Sequence, residues 1–326
     1  MTAWMKFCVK SVFNLEEKTM SDTPSRFNLK HNELYDVPVQ ELIWPEGTPD
    51  FEPEADNREV MNERGQTLYC RFISNVRIPA MYAFPAPKEN NTGMAVVICP
   101  GGGYVGVAID HEGFDLARFF NSLGISAFVL KYRCHDYDDK FGPLKDAPLS
   151  DALRTIRIVR SRAAQYGIDP TKIGIMGFSS GGHVAVTAST LYDSITDPNP
   201  ELNAISARPD FSIFIYAVIS LCKDYCHGGS RKNLLGLNPD MATMEKYSGE
   251  CQVTENTPPV FMSLTEDDAV DPQNAINYFL ACQAKKVPAE IHVFPEGGHG
   301  YGMRLRGLAV DTWPDLLAQW LKRKMN

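Results

Sequence analysis

"KIGIMGFSSGGHVAV", residues 172–186, runs an apolar stretch into two serines among four glycines before a second apolar stretch begins. The pattern G-x-S-x-G is met by Gly177, Ser179 and Gly181. Ser180 does not meet it, because position 178 is Phe178 rather than glycine. Small flanks have a steric reason. A strand that turns abruptly into a helix holds the serine in a strained backbone, and residues two positions away must not collide. In return Oγ is exposed at a helix N-terminus, where the dipole favours developing negative charge. The context fits, with "KIGIMGF" predicting a strand and "HVAVTAST" a helix. Ser179 is the candidate nucleophile, and Ser180 is expected to contribute its backbone N–H.

A serine hydroxyl needs a base at neutral pH. Of the seven histidines, His31 lies in a polar arm, His111 opens a helix, and His135 follows "KYRC" in a charged loop. His183 is expected in helix packing and His292 inside a strand, while His227 lies in an insertion. His299 stands in "FPEGGHGYG", a glycine-rich loop between the last strand and the last helix, where an imidazole can reach over a sheet edge. It is the candidate base. A carboxylate must fix its tautomer. "MSLTEDDAVDP" offers Glu266, Asp267, Asp268 and Asp271 after an apolar run, and local reasoning does not choose among them. The chain order serine, acid, histidine is that of α/β-hydrolases. Backbone donors for an oxyanion are expected from "CPGGGYVG", at Gly102 and Gly103, with the N–H of Ser180 completing the set. That glycine run lacks the Lys-Ser/Thr of a P-loop and does not match a dinucleotide fingerprint, so no cofactor is expected.

The rest of the chain supports an α/β fold. Apolar runs recur at 94–100, 125–132, 172–178, 211–220, 259–265 and 289–294. Most are continuous rather than alternating, as in strands buried on both faces. Helical patterns separate them, and "SDALRTIRIVRSRAAQYG" places Leu153, Ile156 and Val159 on one face. This alternation predicts a mostly parallel sheet covered by helices on both faces. Ahead of it, "TLYCRFISNVRIPAMYAF" predicts an N-terminal antiparallel hairpin with its turn at Ser74-Asn75. Residues 1–65 are polar and rich in Pro, Glu, Asp and Asn; they predict an arm packed on a body at 66–326, anchored through "ELIWPEG". The interval 221–258 breaks the rhythm and predicts one helix, at "PDMATMEKYS", in a pocket-forming insertion. Tyr104, His227 and Arg231 are candidates for the pocket lining.

The net charge of −8 and the absence of any basic stripe argue against nucleic acid as a partner. No apolar run approaches the ~18 residues of a membrane span, and lysines cut every N-terminal run short of a signal core. A cytoplasmic location is the expectation. The eight cysteines are scattered, several in apolar segments, and are expected as free thiols. "CKDYCH" (Cys222, Cys226, His227) has half of a zinc spacing, but no second Cys/His cluster follows, so no metal is expected. An oligomer is neither specified nor excluded.

"CPGGGY", "DHEGFDLARFF", "GISAFVLKYR", "PLSDALRTIRIVRSRAAQYGIDPTKIGIMGFSSGGH", "LLGL", "TPPVFMSLTEDDAVDPQNA" and "PAEIHVFPEGGHGYGM" together resemble the acetyl-xylan-esterase-like ("xylanase B-like") carboxylesterases of the α/β-hydrolase superfamily. The similarity runs from about Trp44 to the C-terminus. It implies a serine esterase acting on short acyl esters, chiefly acetyl groups on a sugar or xylan-derived oligosaccharide. It also implies the acid. The family's Asp-x-x-Val-Pro places the catalytic Asp four residues before Pro272, at Asp268, although Asp271 stands where Val is usual and Asp267 is the alternative. Two other readings share parts of this pattern. A prolyl-oligopeptidase-like peptidase shares fold and triad but usually carries a large extra domain over the site. A non-catalytic relative acting as a binding protein commonly lacks a triad member.

Overall fold

The computed structural model describes residues 38–49, 60–63, 70–136 and 142–325. Cys8, His31 and most of the arm expected over 1–65 lie outside them. Among the described residues there are eleven strands: β1 (Gln40–Leu42), β2 (Val60–Glu63), β3 (Arg71–Ser74), β4 (Ala80–Phe84), β5 (Ala95–Cys99), β6 (Gly106–Ala108), β7 (Ser126–Lys131), β8 (Ile173–Phe178), β9 (Ser212–Ile215), β10 (Val260–Thr265) and β11 (Ala289–Phe294). Eight form one sheet in the order β1-β4-β7-β5-β8-β9-β10-β11. From β7 to β11 every pairing is parallel, while β4 joins β7 and β1 joins β4 antiparallel. The architecture is the α/β-hydrolase fold. The continuous apolar runs are the buried strands: every residue of β5, β7, β8, β9 and β10 is buried. Only one run overshoots. The segment 211–220 yields a strand that stops at Ile215, because Tyr216 turns with φ 37°.

An N-terminal antiparallel hairpin exists, but its arms are β2 and β3, and β3 pairs on its other side with β6 in a separate three-stranded sheet. Ser74-Asn75 is a turn, with Asn75 at φ 56°. It hands the chain from the small sheet to the large one rather than pairing β3 with β4. Part of the expected arm is thus integral to the body. β1 extends the main sheet, and Trp44 docks behind it, 5% exposed. Its Nε1 donates to Asp151 Oδ1 at 2.8 Å and the Arg154 guanidinium covers its ring at 4.0 Å.

Strand register positions the site. Cys99 pairs with Gly177, so the glycine run after β5 and the turn after β8 leave the sheet side by side. Thr265 pairs with Phe294, so the acidic loop after β10 and the histidine loop after β11 also emerge together. β9 lies between the two pairs and delivers Tyr216 into the gap. The 221–258 interval holds two α-helices, Gly228–Leu235 and Met241–Lys246, and a 3-10 turn, Gly249–Cys251, where one helix was expected. The first is hidden in sequence because it opens on Gly-Gly-Ser and is capped by an imidazole. His227 Nδ1 accepts the Ser230 N–H at 3.2 Å.

Candidate active site

β8 ends at Phe178 in extended conformation, and the next residue starts the helix Ser179–Thr190. Ser179 takes φ 51°, a left-handed backbone that costs a non-glycine residue of order 1–3 kcal/mol. The flanking glycines are sterically required. A Cβ on Gly177 would lie 2.1 Å from Gly181 O, and one on Gly181 would lie 2.2 Å from Cys99 O. The elbow is therefore pressed against its own helix on one side and against the end of β5 on the other.

Ser179 Oγ lies 2.9 Å from His299 Nε2, and His299 Nδ1 lies 2.7 Å from Asp268 Oδ1. With Nδ1–H donating to the carboxylate, Nε2 is left free to accept the serine proton. The Asp268 side chain is fully buried and that of His299 18% exposed. Asp268 Oδ1 also accepts the Val270 N–H at 2.7 Å. Burial alone would depress the His299 pKa. The Asp268 hydrogen bond and charge, with a contribution from Glu112, outweigh it and hold the imidazole above its ordinary value.

The other acids lie elsewhere. Asp267 accepts the N–H of Gly298 at 2.7 Å and of Gly297 at 3.2 Å, so it grips the backbone of the histidine loop. Although burial opposes it, these bonds and one from Thr265 lower its pKa. Asp271 accepts the Gln273 N–H at 2.8 Å at the start of a helix. Arg306 braces the same loop from the far side, donating to the carbonyls of Gly297 and His299.

The glycine run departs from expectation at one residue. The Gly102 N–H is not free for a ligand: it donates to Ser180 Oγ at 3.1 Å, and the Tyr104 N–H donates to the same oxygen at 3.2 Å. The Ser180 hydroxyl thus clips the glycine loop onto the elbow. Gly103, with φ 64°, stands on the open side of the loop, where a Cβ would meet nothing within 4 Å. Its carbonyl accepts from Asn233 Nδ2 of the insertion at 2.8 Å. The Ser180 N–H lies in the first helical turn, where no intrahelical acceptor exists.

Tyr104 is not a pocket residue. It is 1% exposed, and its hydroxyl donates to His183 Nδ1 at 2.7 Å. His183 Nε2 lies 2.7 Å from the Tyr247 carbonyl, which requires the proton on that nitrogen. Burial pushes the His183 pKa down to about 4, so this core imidazole is neutral. Arg231 reaches the Leu221 carbonyl at 3.5 Å and Met244 Sδ at 3.9 Å, contacts within the insertion. His227 caps its helix through Nδ1, and burial lowers its pKa, the His299 charge adding to the shift and the Asp268 charge opposing it.

Glu112 and Tyr216 carry no motif and escape sequence reasoning. Glu112, 4% exposed, accepts the Gly101 N–H on Oε2 at 2.6 Å and the Tyr216 hydroxyl on Oε1 at 2.8 Å. Burial raises its pKa, while the Tyr216 bond and the His299 charge pull the other way. The Tyr216 oxygen in turn accepts the Gly302 N–H at 3.1 Å, and its ring stands edge-on to His299 with centroids 4.9 Å apart. One buried acid thereby connects the glycine run to the histidine loop. A usable signal was present: the titratable run Asp110-His111-Glu112 in "GVAIDHEGF", flanked by apolar residues just after the glycine run.

Comparisons with known proteins follow the same lines. The family model described as BD-FAE matches residues 82–280, more than half of the chain. Endo-1,4-beta-xylanase B of Butyrivibrio fibrisolvens is 38% identical over 254 residues, covering 78% of this chain and 38% of that protein. Acetylxylan esterase of Xylanibacter ruminicola is 33% identical over 239 residues, covering 72% of this chain and 46% of that protein. The chain thus spans less than half the length of either. The crystal structure of an acetyl ester-xyloside bifunctional hydrolase from Caldicellulosiruptor lactoaceticus superposes with a TM-score of 0.75 at 34% identity, covering 88% of this chain and 97% of that one. Family match, sequence relatives and superposed structure agree with the resemblance carried by the motifs, and the chain belongs to the BD-FAE family of α/β-hydrolases.

Proposed function

We propose that this protein is a serine carboxylesterase that removes short acyl groups, chiefly acetyl, from carbohydrate esters such as acetylated xylo-oligosaccharides. The observation that carries the reading is the unbroken chain Ser179 Oγ, His299, Asp268, with links of 2.9 and 2.7 Å, on a strained strand-to-helix elbow. Ser179 attacks the acyl carbon while His299 Nε2 takes its proton. Asp268 holds the imidazole in the required tautomer and stabilises its charged form. The oxyanion is received by the N–H groups of Gly103 and Ser180, each such donor contributing about 3 kcal/mol of barrier lowering. His299 then returns the proton to the leaving alcohol, and water, activated by the same histidine, releases the acid.

The substrate class draws on the relatives, among them an acetylxylan esterase and an acetyl ester-xyloside hydrolase. Asn233 of the 221–258 insertion donates to the Gly103 carbonyl, which supports reading that insertion as pocket-forming on a body at 66–326, with residues 40–42 of the 1–65 arm adding the edge strand. No helix among the described residues is long and apolar enough to cross a membrane. Every described cysteine is free, which suits a reducing compartment such as the cytoplasm. A panel of acetylated xylo-oligosaccharides, p-nitrophenyl esters of increasing acyl length and prolyl-peptide amides tests this. The acetyl sugar esters are expected to give the highest kcat/KM. Preferential amide cleavage would overturn the reading in favour of a peptidase.

A further inference from the structure

The insertion carries a cluster, built from its first residues and from Glu250 and Cys251, that the esterase chemistry does not use. Cys222, near its start, does not pair with Cys226 and His227 of "CKDYCH". Its Sγ, the Cys251 Sγ and a Glu250 carboxylate oxygen instead lie within 4.8 Å of one another. Cys222 Sγ stands 3.9 Å from Glu250 Oε1 and 3.8 Å from Ser220 Oγ. The second Glu250 oxygen, Oε2, is buried and has no hydrogen-bond partner. A buried carboxylate oxygen left without a partner is costly and calls for an ion or water. Among the described residues no Lys, Arg or His forms an ion pair with Glu250.

We propose that Cys222, Glu250 and Cys251 bind a thiophilic divalent cation of the zinc class, which clamps the start of the 221–258 insertion to its 250–251 segment. Two thiolates and a carboxylate are a donor set for such an ion. At about 2.3 Å from sulfur and about 2.0 Å from oxygen, tetrahedral coordination separates its donors by roughly 3.5–3.8 Å. The observed spacing lies a few tenths of an ångström to one ångström above that, within reach of a rotamer adjustment. On binding, each thiol loses its proton to solvent while the metal takes its place. Water or Ser220 Oγ fills the fourth position.

The scaffold is already set for it. Ser248 Oγ accepts the N–H of Leu221 at 2.8 Å and of Cys222 at 3.0 Å, and the Gly249 N–H donates to Ile219 O at 3.1 Å. A Cβ on Gly249 would lie 2.0 Å from Val186 Cγ1, so this turn is seated hard on the elbow helix. The backbones that carry Cys222 and Cys251 are thereby held together before any ion arrives. Cys251 is exposed and gives the ion a way in. The proposal stands apart from the esterase reading, since the ion does not touch the reacting groups.

Cobalt(II) is the probe. Chelator-treated, reduced full-length protein titrated with Co²⁺ is expected to develop thiolate-to-cobalt charge-transfer absorption that saturates at one equivalent, with release of about two protons. Zn²⁺ should then bleach it. Cys222→Ser and Cys251→Ser should each abolish the band, and Glu250→Gln should weaken binding at least tenfold, with melting curves in chelator showing that the variants remain folded. The absence of a band at stoichiometric cobalt, a band that survives both serine variants, or recovery of Cys222 and Cys251 as a disulfide under conditions that keep the other cysteines reduced would each overturn the proposal.

Discussion

Two pairs of neighbouring strands build this site, and they solve the same problem with different chemistry. At the ends of β5 and β8 a neutral hydroxyl, Ser180 Oγ, holds the glycine run through two backbone N–H groups at 3.1 and 3.2 Å. At the ends of β10 and β11 a carboxylate, Asp267, holds the histidine loop through two backbone N–H groups at 2.7 and 3.2 Å. In each case the clip is the immediate neighbour of a residue of the proposed triad, Ser180 beside Ser179 and Asp267 beside Asp268. A Ser-Ser or Asp-Asp doublet in sequence therefore divides its work between chemistry and position. The difference lies in exposure and charge. Ser180 is fully buried and its bonds are neutral, whereas Asp267 is exposed and its grip is charge-assisted, partly screened by solvent and open to acid.

The variant that breaks the second pair most severely is Asp268→Asn. It is expected to lower kcat about 10⁴-fold, because the amide leaves His299 in the wrong tautomer; steady-state hydrolysis of p-nitrophenyl acetate reads this directly. Ser180→Ala removes the clip of the first pair without touching Ser179. A loss of about 10²-fold in kcat is expected, the scale of one misplaced oxyanion donor, with KM little changed. Asp267→Asn should cost less, about tenfold, as the histidine loop relaxes. The folded-state pKa of Asp267 is lowered. Its stabilising contribution is therefore present above the ordinary Asp range and lost as pH falls through the lower folded value. The difference in melting temperature between the wild type and Asp267→Asn should accordingly shrink in acid.

Glu112→Gln joins the two pairs and should give the smallest loss of rate, since glutamine can still accept from Gly101. Its signature is the pH profile. His299 must be neutral to act as base, and its pKa is raised. In the wild type the acid limb of kcat/KM is therefore expected above the ordinary imidazole range. Removing the Glu112 charge should move that limb to lower pH. An unmoved limb would mean that Glu112 acts only through the Gly101 and Tyr216 hydrogen bonds.

Much of this was legible in the sequence, for physical reasons. Gly177 and Gly181 announce the elbow because no side chain fits there, and the acid and histidine follow buried strands that apolar runs make plain. Asp267 and Asp268 could not be separated by spacing alone, because one residue's shift in a loop exchanges a backbone grip for an imidazole. Gly102 was misjudged because the hydroxyl that occupies its N–H lies 78 residues away. The pairing of β3 with β2 and β6 rather than β4 escaped for a similar reason, since the turn at Ser74-Asn75 is real and only the destination of the chain differs. Glu112 and Tyr216 escaped because they match no motif and their partners, Gly101, Gly302 and His299, come from segments distant in sequence.

The central claim is that Ser179 is the nucleophile and Ser180 its clip. A fluorophosphonate probe followed by peptide mapping tests it most directly in the wild type, Ser179→Ala and Ser180→Ala. Labelling is expected on Ser179 in the wild type and, more slowly, in Ser180→Ala, with none in Ser179→Ala. Label on Ser180, or undiminished labelling and p-nitrophenyl acetate turnover in Ser179→Ala, would contradict it.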